Sequence, residues 1–418
     1  MYRFEMHTPW GDNFHYFFKW TCISCFIGLL VGAVGMIFGY GVRAVTAVWT
    51  EHDWTLYLLP LCGAAIVWLY KTFHEEKNNG TNMVLEAISS DRNITFATAP
   101  LIFISTLLTH VAAGSSGREG AALQLGGSLG NQIGRLLDLD EKDKKIAVMC
   151  GMSACFAALF GTPLTAGIFS MEVVSIGVMY YAALVPCLFS AFIGAGIARL
   201  CGLPPEQFLL ETVPQFTLKA AVFTILLGIL CAAVSVVFCI ILHQSERTYR
   251  RLFSNAYVRI LAASAIFIIL TLLSGTRDYN GSGMELIARC MEGEPVRYEA
   301  FLMKMIFTGA VLGAGFKGGE IVPTMCVGAT FGAAAGQLLG IDPALCAACG
   351  TAALFVGVTN CPVATVFLAF EMFGFQAMPY FALIVAVSFT LSGYYGLYKS
   401  QKFIYSKIRT EYINIRSH

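Results

Sequence analysis

Two short stretches of the chain set a carboxylate beside a basic residue among glycines: Gly114-Ser-Ser-Gly117-Arg118-Glu119-Gly120 and Gly315-Phe-Lys317-Gly318-Gly319-Glu320-Ile321-Val322-Pro323. Each leads into a small-residue apolar segment, 121–130 and 324–336. Glycines ahead of a helix start leave backbone N–H groups open, and the helix dipole adds positive potential there, so the pattern suits an anion. Glu119 is then a tethered anion in an anion site. Charge inside an apolar segment is costly, which makes intramembrane ionisable residues candidates for function. The plainer readings are an Arg118–Glu119 ion pair in a surface loop and a Glu320 that caps a helix. A third stretch, Gly80-Thr81-Asn82-Met83-Val84, precedes a short helix through Ile88. Thr81 or Asn82 alone reads as an N-cap; if this helix start reaches the same point as the other two, the Thr81 hydroxyl becomes an anion donor. Tyr394, Tyr395 and Tyr398 follow the last long apolar segment. Aromatic residues there mark a membrane interface, with one hydroxyl reaching the ion path as the alternative.

The elements that must carry these residues are membrane helices. Of the 418 residues 57% are hydrophobic and 13% charged, whereas an ordinary soluble domain is about a quarter charged. The net charge of +1 also lacks the basic footprint of a nucleic-acid binder. Apolar segments at 16–45, 54–70, 100–111, 146–158, 176–197, 218–242, 258–273, 301–312 and 381–397 are candidate bilayer helices, the shorter ones only where their flanks extend them. Shorter pieces at 83–88, 120–133, 163–172, 321–339 and 362–373 suit the broken helices of repeat-built transporters. The polar start of the chain has no cleavable signal. The 14 cysteines, including the Cys22/Cys25 and Cys346/Cys349 spacings, read as packing residues, and His110 as a satisfied core residue.

One gap-free shift of 199 pairs Glu86 with Glu285, Arg118 with Lys317, Gly120 with Gly319, Cys150 with Cys349, Pro163 with Pro362 and Glu172 with Glu371. Two homologous halves follow, with an N-terminal segment at 1–15, repeats at 16–200 and 218–400, a Pro-marked connection at 201–217 and a C-terminal tail at 401–418. Pro163 and Pro362 start short helices, and with Glu172 and Glu371 they read as packing between the halves.

These residues resemble the CLC chloride channels and transporters. Gly117-Arg118-Glu119-Gly120 is similar to that family's Gly-Arg-Glu-Gly signature, Gly318 to Pro323 to its second anion loop, and Gly80-Thr81-Asn82 to its first. Chloride members usually carry Pro where Ala121 stands, a Ser- and Pro-containing first loop, and, in exchangers, a glutamate where Val173 stands. The fluoride/proton antiporter branch has instead a glutamate just after the paired glycines, which Glu320 matches. Thr81 and Val322 depart from that branch, where Met and Thr are common.

The resemblance implies an all-α polytopic fold with two inverted repeats whose broken helices meet at a midplane anion site, assembled as a homodimer with one pathway per subunit. It implies Glu119 as the gating and proton-carrying carboxylate, Glu320 as its assistant, and Tyr398 as the inner-gate tyrosine. The anion is expected among Thr81, Asn82, Gly117, Arg118, Gly120, Gly319, Ile321, Val322 and Tyr398. The expected activity is fluoride export in exchange for protons, with chloride exchange or an uncoupled chloride channel as the alternative. No cofactor, no nucleic-acid partner and no following nucleotide-binding regulatory domain are expected. Lys399, Lys402, Lys407 and Arg409 argue for a cytoplasmic C-terminus, and the expected location is a plasma membrane, the inner membrane of a bacterium. A cation transporter fits poorly because basic residues accompany both carboxylates. An intramembrane enzyme fits worse, since neither a His-rich helix nor a Gly-x-Ser-x-Gly turn occurs.

Overall fold

The computed structural model describes residues 9–90, 94–210 and 212–418. Part of the expected N-terminal segment and residue 211 of the connection lie outside the described residues. The first half runs α1 (Pro9–Glu51), α2 (Leu59–Thr72), α3 (Thr81–Ser89), α4 (Thr98–Val111), α5 (Glu119–Leu136), α6 (Glu141–Phe160), α7 (Pro163–Glu172) and α8 (Leu184–Leu200). The second runs α9 (Leu218–Leu252), α10 (Ala256–Ser274), α11 (Met284–Met291), α12 (Ala300–Leu312), α13 (Ile321–Leu339), α14 (Pro343–Thr359), α15 (Pro362–Phe373) and α16 (Met378–Leu391). α1 is 43 and α9 35 residues long, each carrying a long apolar run flanked by polar and charged residues. At the helical rise these span about 65 and about 53 Å, longer than a hydrocarbon core of about 30 Å. Among the described residues six helical stretches are long and apolar enough to cross a membrane. The pieces α3, α4, α11 and α12 have 14 residues or fewer, too short to span alone.

The halves pack alike. α5 lies on α6 as α13 lies on α14, α1 on α6 and α8 as α9 on α14 and α16, and α4 on α5 as α12 on α13. Without a hydrophobic force between helices in lipid, small residues allow close approach. Gly126 and Gly130 of α5 meet Gly151 of α6, and Gly328 and Gly332 of α13 meet α14 at Gly350 and Cys346.

The hand of the relation is visible where α7 meets α15. Each helix begins with Pro at its first position, and its next amides are capped by the glutamate at the far end of the other helix. Glu172 accepts from Val363 N–H (3.1 Å) and Ala364 N–H (2.8 Å); Glu371 accepts from Leu164 N–H (3.0 Å) and Thr165 N–H (2.9 Å). Equivalent helices that cap each other head to tail run antiparallel, so the twofold relating them lies across their axes and one half is inverted relative to the other. The sequence-based view of these residues as packing between the halves agrees with this.

The gap-free shift of 199 needs correction at the loops. It holds from the Cys150/Cys349 pair to the Glu172/Glu371 pair. Ahead of these, Gly117 pairs with Gly319, α5 opens at Glu119 and α13 at Ile321, and Asp140 and Asp342 cap α6 and α14. Each of these pairs is separated by 202 residues. The difference is absorbed by α6, which has 20 residues against 17 in α14. Arg118 is therefore equivalent to Glu320, both standing immediately before their helices, and not to Lys317.

The tail at 401–418 folds back as two antiparallel strands, β2 (Lys402–Tyr405) and β3 (Tyr412–Arg416), with β2 parallel to β1 (Ser175–Ile176), which follows α7. Lys407 in the hairpin turn donates to Asn360 Oδ1 (2.6 Å), Phe389 O (2.9 Å) and Ser392 Oγ (3.1 Å). All three ammonium hydrogens thus satisfy acceptors at the C-terminal ends of α14 and α16, where the helix dipole favours a cation. Replacing Lys407 with Met is expected to leave these acceptors unpaired at a cost of about 1–3 kcal/mol, read as a lower midpoint of thermal unfolding in detergent. Of the fourteen cysteines, all free, eleven are buried among the helices, as expected of packing residues.

Candidate functional site

The two glycine loops cross. Gly117 N–H donates to Gly319 O at 2.5 Å, and Gly319 N–H donates to Gly117 O at 2.6 Å. These two donors, expected to stand open to an anion, are spent on each other, and the glycines instead bring the helix starts together. A side chain has no room at either place. A Cβ on Gly117 would stand 2.5 Å from Glu119 Oε2, and one on Gly319 would stand 2.5 Å from the Gly120 nitrogen.

What occupies the N-terminus of α5 is its own first residue. Glu119 is fully buried, and Oε2 accepts from Arg118 N–H at 2.9 Å. Oε1 lies 3.6 Å from Arg118 Nε and has no hydrogen-bond partner among the described residues. The Val322 amide, at the start of α13, also faces this carboxylate. With Arg118 only 7% exposed, the surface-loop reading of the pair does not hold. Ile321 and Val322 are fully buried as the first residues of α13.

Thr81 and Glu320 converge on Gly120: Thr81 Oγ1 and Glu320 Oε2 are each 3.2 Å from where a Cβ would stand there, and the Thr81 hydroxyl donates to Gly120 O at 3.4 Å. Asn82, one residue on, accepts from Ser400 N–H at 2.9 Å and so ties α3 to the segment that carries Tyr398. The Tyr398 ring is fully buried, its hydroxyl has no partner among the described residues, and it lies within electrostatic reach of Glu320 and Glu119. Lys317 stands apart with its ammonium 4.3 Å over the Tyr70 ring. It lines a cavity of about 420 Å³ together with Thr81, Asn82, Gln124, Glu320 and Lys399. This vestibule reaches Glu320 but not Glu119 or Tyr398.

Two site residues escape a reading of the sequence. Gln124 sits one turn after Gly120, donates to its carbonyl at 3.1 Å, and keeps an Oε1 without a partner among the described residues; an amide in a Gly- and Ala-rich helix was the available signal. Glu206 comes from the connection between the halves and is ion-paired with Arg118 Nη2, a contact across 88 positions that no local pattern announces. His110 is only half satisfied: Nδ1 bonds to Thr106 O at 2.9 Å while Nε2 has no partner among the described residues.

A carboxylate at the meeting of two helix starts, with one free oxygen, a second carboxylate and an unpartnered hydroxyl nearby, can give up its place to an anion and carry a proton. A multi-pass helical protein of two inverted halves built around such a point belongs to the class of membrane transport proteins and not to the enzymes. The voltage-gated chloride channel (CLC) family profile matches residues 62–393, and the chain belongs to that family. A chloride/fluoride channel protein of Pseudomonas syringae pv. tomato is 30% identical over 403 residues, covering 95% of this chain and 89% of that one. An H+/Cl− exchange transporter of Vibrio vulnificus is 26% identical, covering 84% and 81%. The crystal structure of a CLC-type fluoride/proton antiporter superposes with a TM-score of 0.88 at 30% identity, covering 92% of this chain and 97% of that one.

Proposed function

We propose that this protein exports fluoride in exchange for protons. The observation that carries the reading is Glu119, buried at the start of α5 with one free carboxylate oxygen, beside a second carboxylate, Glu320, that faces the vestibule. Ionised, Glu119 fills the anion position at the paired helix starts. Protonated, it loses its attraction to Arg118 and to the amides, swings away and admits fluoride. Glu320 assists by exchanging protons with the vestibule. Tyr398, with its free hydroxyl, donates to the passing anion as the inner gate. Thr81, Asn82, Gly117, Arg118, Gly120, Gly319, Ile321 and Val322 form the walls of the pathway, the glycines by close approach and the rest by side chain or amide. Proton entry then drives fluoride outward.

Fluoride is favoured over chloride by Glu320 after the paired glycines and by Ala121 and Val173 where chloride relatives carry Pro and Glu. The resemblances to a fluoride/proton antiporter and to a chloride/fluoride channel protein support the same choice. The unit is a homodimer with one pathway per subunit, its repeats at 16–200 and 218–400 joined by 201–217, in the inner membrane of a bacterium. The basic residues after α16 support a cytoplasmic C-terminus. Purified protein in liposomes loaded with fluoride or chloride is the test. Fluoride efflux coupled to proton uptake, with chloride at least tenfold slower, is the expected result; faster chloride exchange would replace fluoride as substrate, and anion flux without proton uptake would make the protein a channel.

A further inference from the structure

Arg118 holds two carboxylates at once. Its Nη2 is paired with Glu206 Oε1, while its Nε, unbonded among the described residues, stands 3.6 Å from Glu119 Oε1. The Glu206 side chain is 16% exposed, that of Arg118 8% and that of Glu119 not at all. Burial therefore deepens along one line of contacts, from Glu206 through Arg118 to Glu119, and neither Arg118 nor Glu206 lines the vestibule.

Glu206 is held firmly for this contact. Its N–H donates to Phe160 O, the last residue of α6, at 2.9 Å. Gly161 follows α6 in a left-handed conformation (φ +73°) and packs on Pro205, leaving no room for a side chain. Two residues on, Phe208 N–H donates to Met372 O of α15 at 2.8 Å. Prolines 204 and 205 restrict the backbone further. The connection between the repeats is thus an arm that delivers one carboxylate to one guanidinium.

We infer that Glu206 is a positioning residue that sets the pH window of the exchange by drawing the Arg118 guanidinium away from full engagement with Glu119. This rests on the reading of Glu119 as the proton carrier. A single guanidinium shared by two carboxylates neutralises neither fully. Remove the Glu206 charge, and Arg118 serves Glu119 alone while a nearby negative charge disappears. Both changes favour ionised Glu119, so more acid is needed to protonate it. The other charged or titratable groups facing this pair are Glu320 before α13, Tyr398 after α16 and His110 on α4, which lies within electrostatic reach of Arg118. Among the described residues no other carboxylate is ion-paired with Arg118.

The test compares fluoride-driven proton uptake by wild type, Glu206→Gln and Glu206→Asp in proteoliposomes across the range where carboxylates and histidines titrate. The half-maximal pH is expected to move acid-ward by about one unit in Glu206→Gln, and in the same direction by less in Glu206→Asp, whose shorter side chain reaches Arg118 less well. A merely structural role would lower the rate at every pH and leave the midpoint in place, and that outcome, or an alkaline shift, overturns the inference. If Glu206→Gln does not fold, Glu206→Asp decides by itself on the same criterion. Failure of the underlying exchange reading is separable, because wild type would then move no protons.

Discussion

In Glu119→Gln, fluoride-driven proton uptake falls to the level of protein-free liposomes. The substitution keeps the shape and an acceptor for Arg118 N–H, which now meets Oε2 at 2.9 Å, and it removes only the ability to ionise. A neutral amide neither competes as an anion for the helix starts nor carries a proton, so whatever fluoride flux remains is uncoupled. The measurement is proton uptake against fluoride efflux in the same vesicles, with elution volume confirming an intact protein. Proton uptake at the wild-type rate would remove Glu119 from the mechanism.

The second large effect is steric. An alanine at 319 places its Cβ 2.5 Å from the Gly120 nitrogen and 3.0 Å from the Glu119 nitrogen, contacts with backbone that no rotamer relieves. The loops must separate, breaking the reciprocal Gly117–Gly319 bonds and moving the start of α5 away from that of α13. Overpacking of this kind costs about 1–3 kcal/mol; the functional loss is larger, since the carboxylate, the Val322 amide and Thr81 no longer converge. Fluoride transport by Gly319→Ala is expected to drop at least tenfold. Gly11→Ala, on α1 with nothing within 4 Å of the added atom, serves as the control and should transport normally. Full activity in Gly319→Ala would show that the loop crossing is not needed for transport.

Much of this was readable from residues alone because the chemistry is local. A Gly-rich segment ending in Arg118-Glu119 declares a helix start with a charge, and Pro163 with Glu172, matched by Pro362 with Glu371, declares two equivalent short helices. The loops were misaligned for a definite reason. A gap-free shift is dominated by the well-matched stretch from Cys150 to Glu172, and the extra length of α6 lies just ahead of it, among charged residues that resemble nothing in α14. Extending the shift outward paired Arg118 with Lys317. The open glycine amides could not be judged either, since only the folded crossing shows that they bond each other. The C-terminal hairpin did leave a trace: Lys402–Tyr405 and Tyr412–Arg416 are rich in aromatic and β-branched residues, a strand pattern at the end of a helical chain. Glu206 left none, because its role depends on where a proline-stiffened connection happens to pass.

The equivalence of Arg118 and Glu320 bears on how one molecule can treat its two sides differently. Were the inverted halves identical, an anion would meet the same residues in the same order from either leaflet, and so would a proton. Opposite charges at this pair of places break that parity. Arg118 carries a guanidinium that cannot release a proton, whereas Glu320 carries a carboxylate that can, and of the two only Glu320 lines the vestibule. Gradients still decide which way net exchange runs. The duplicated scaffold, by carrying unlike charges at matching positions, gives two similar halves unlike protonation chemistry.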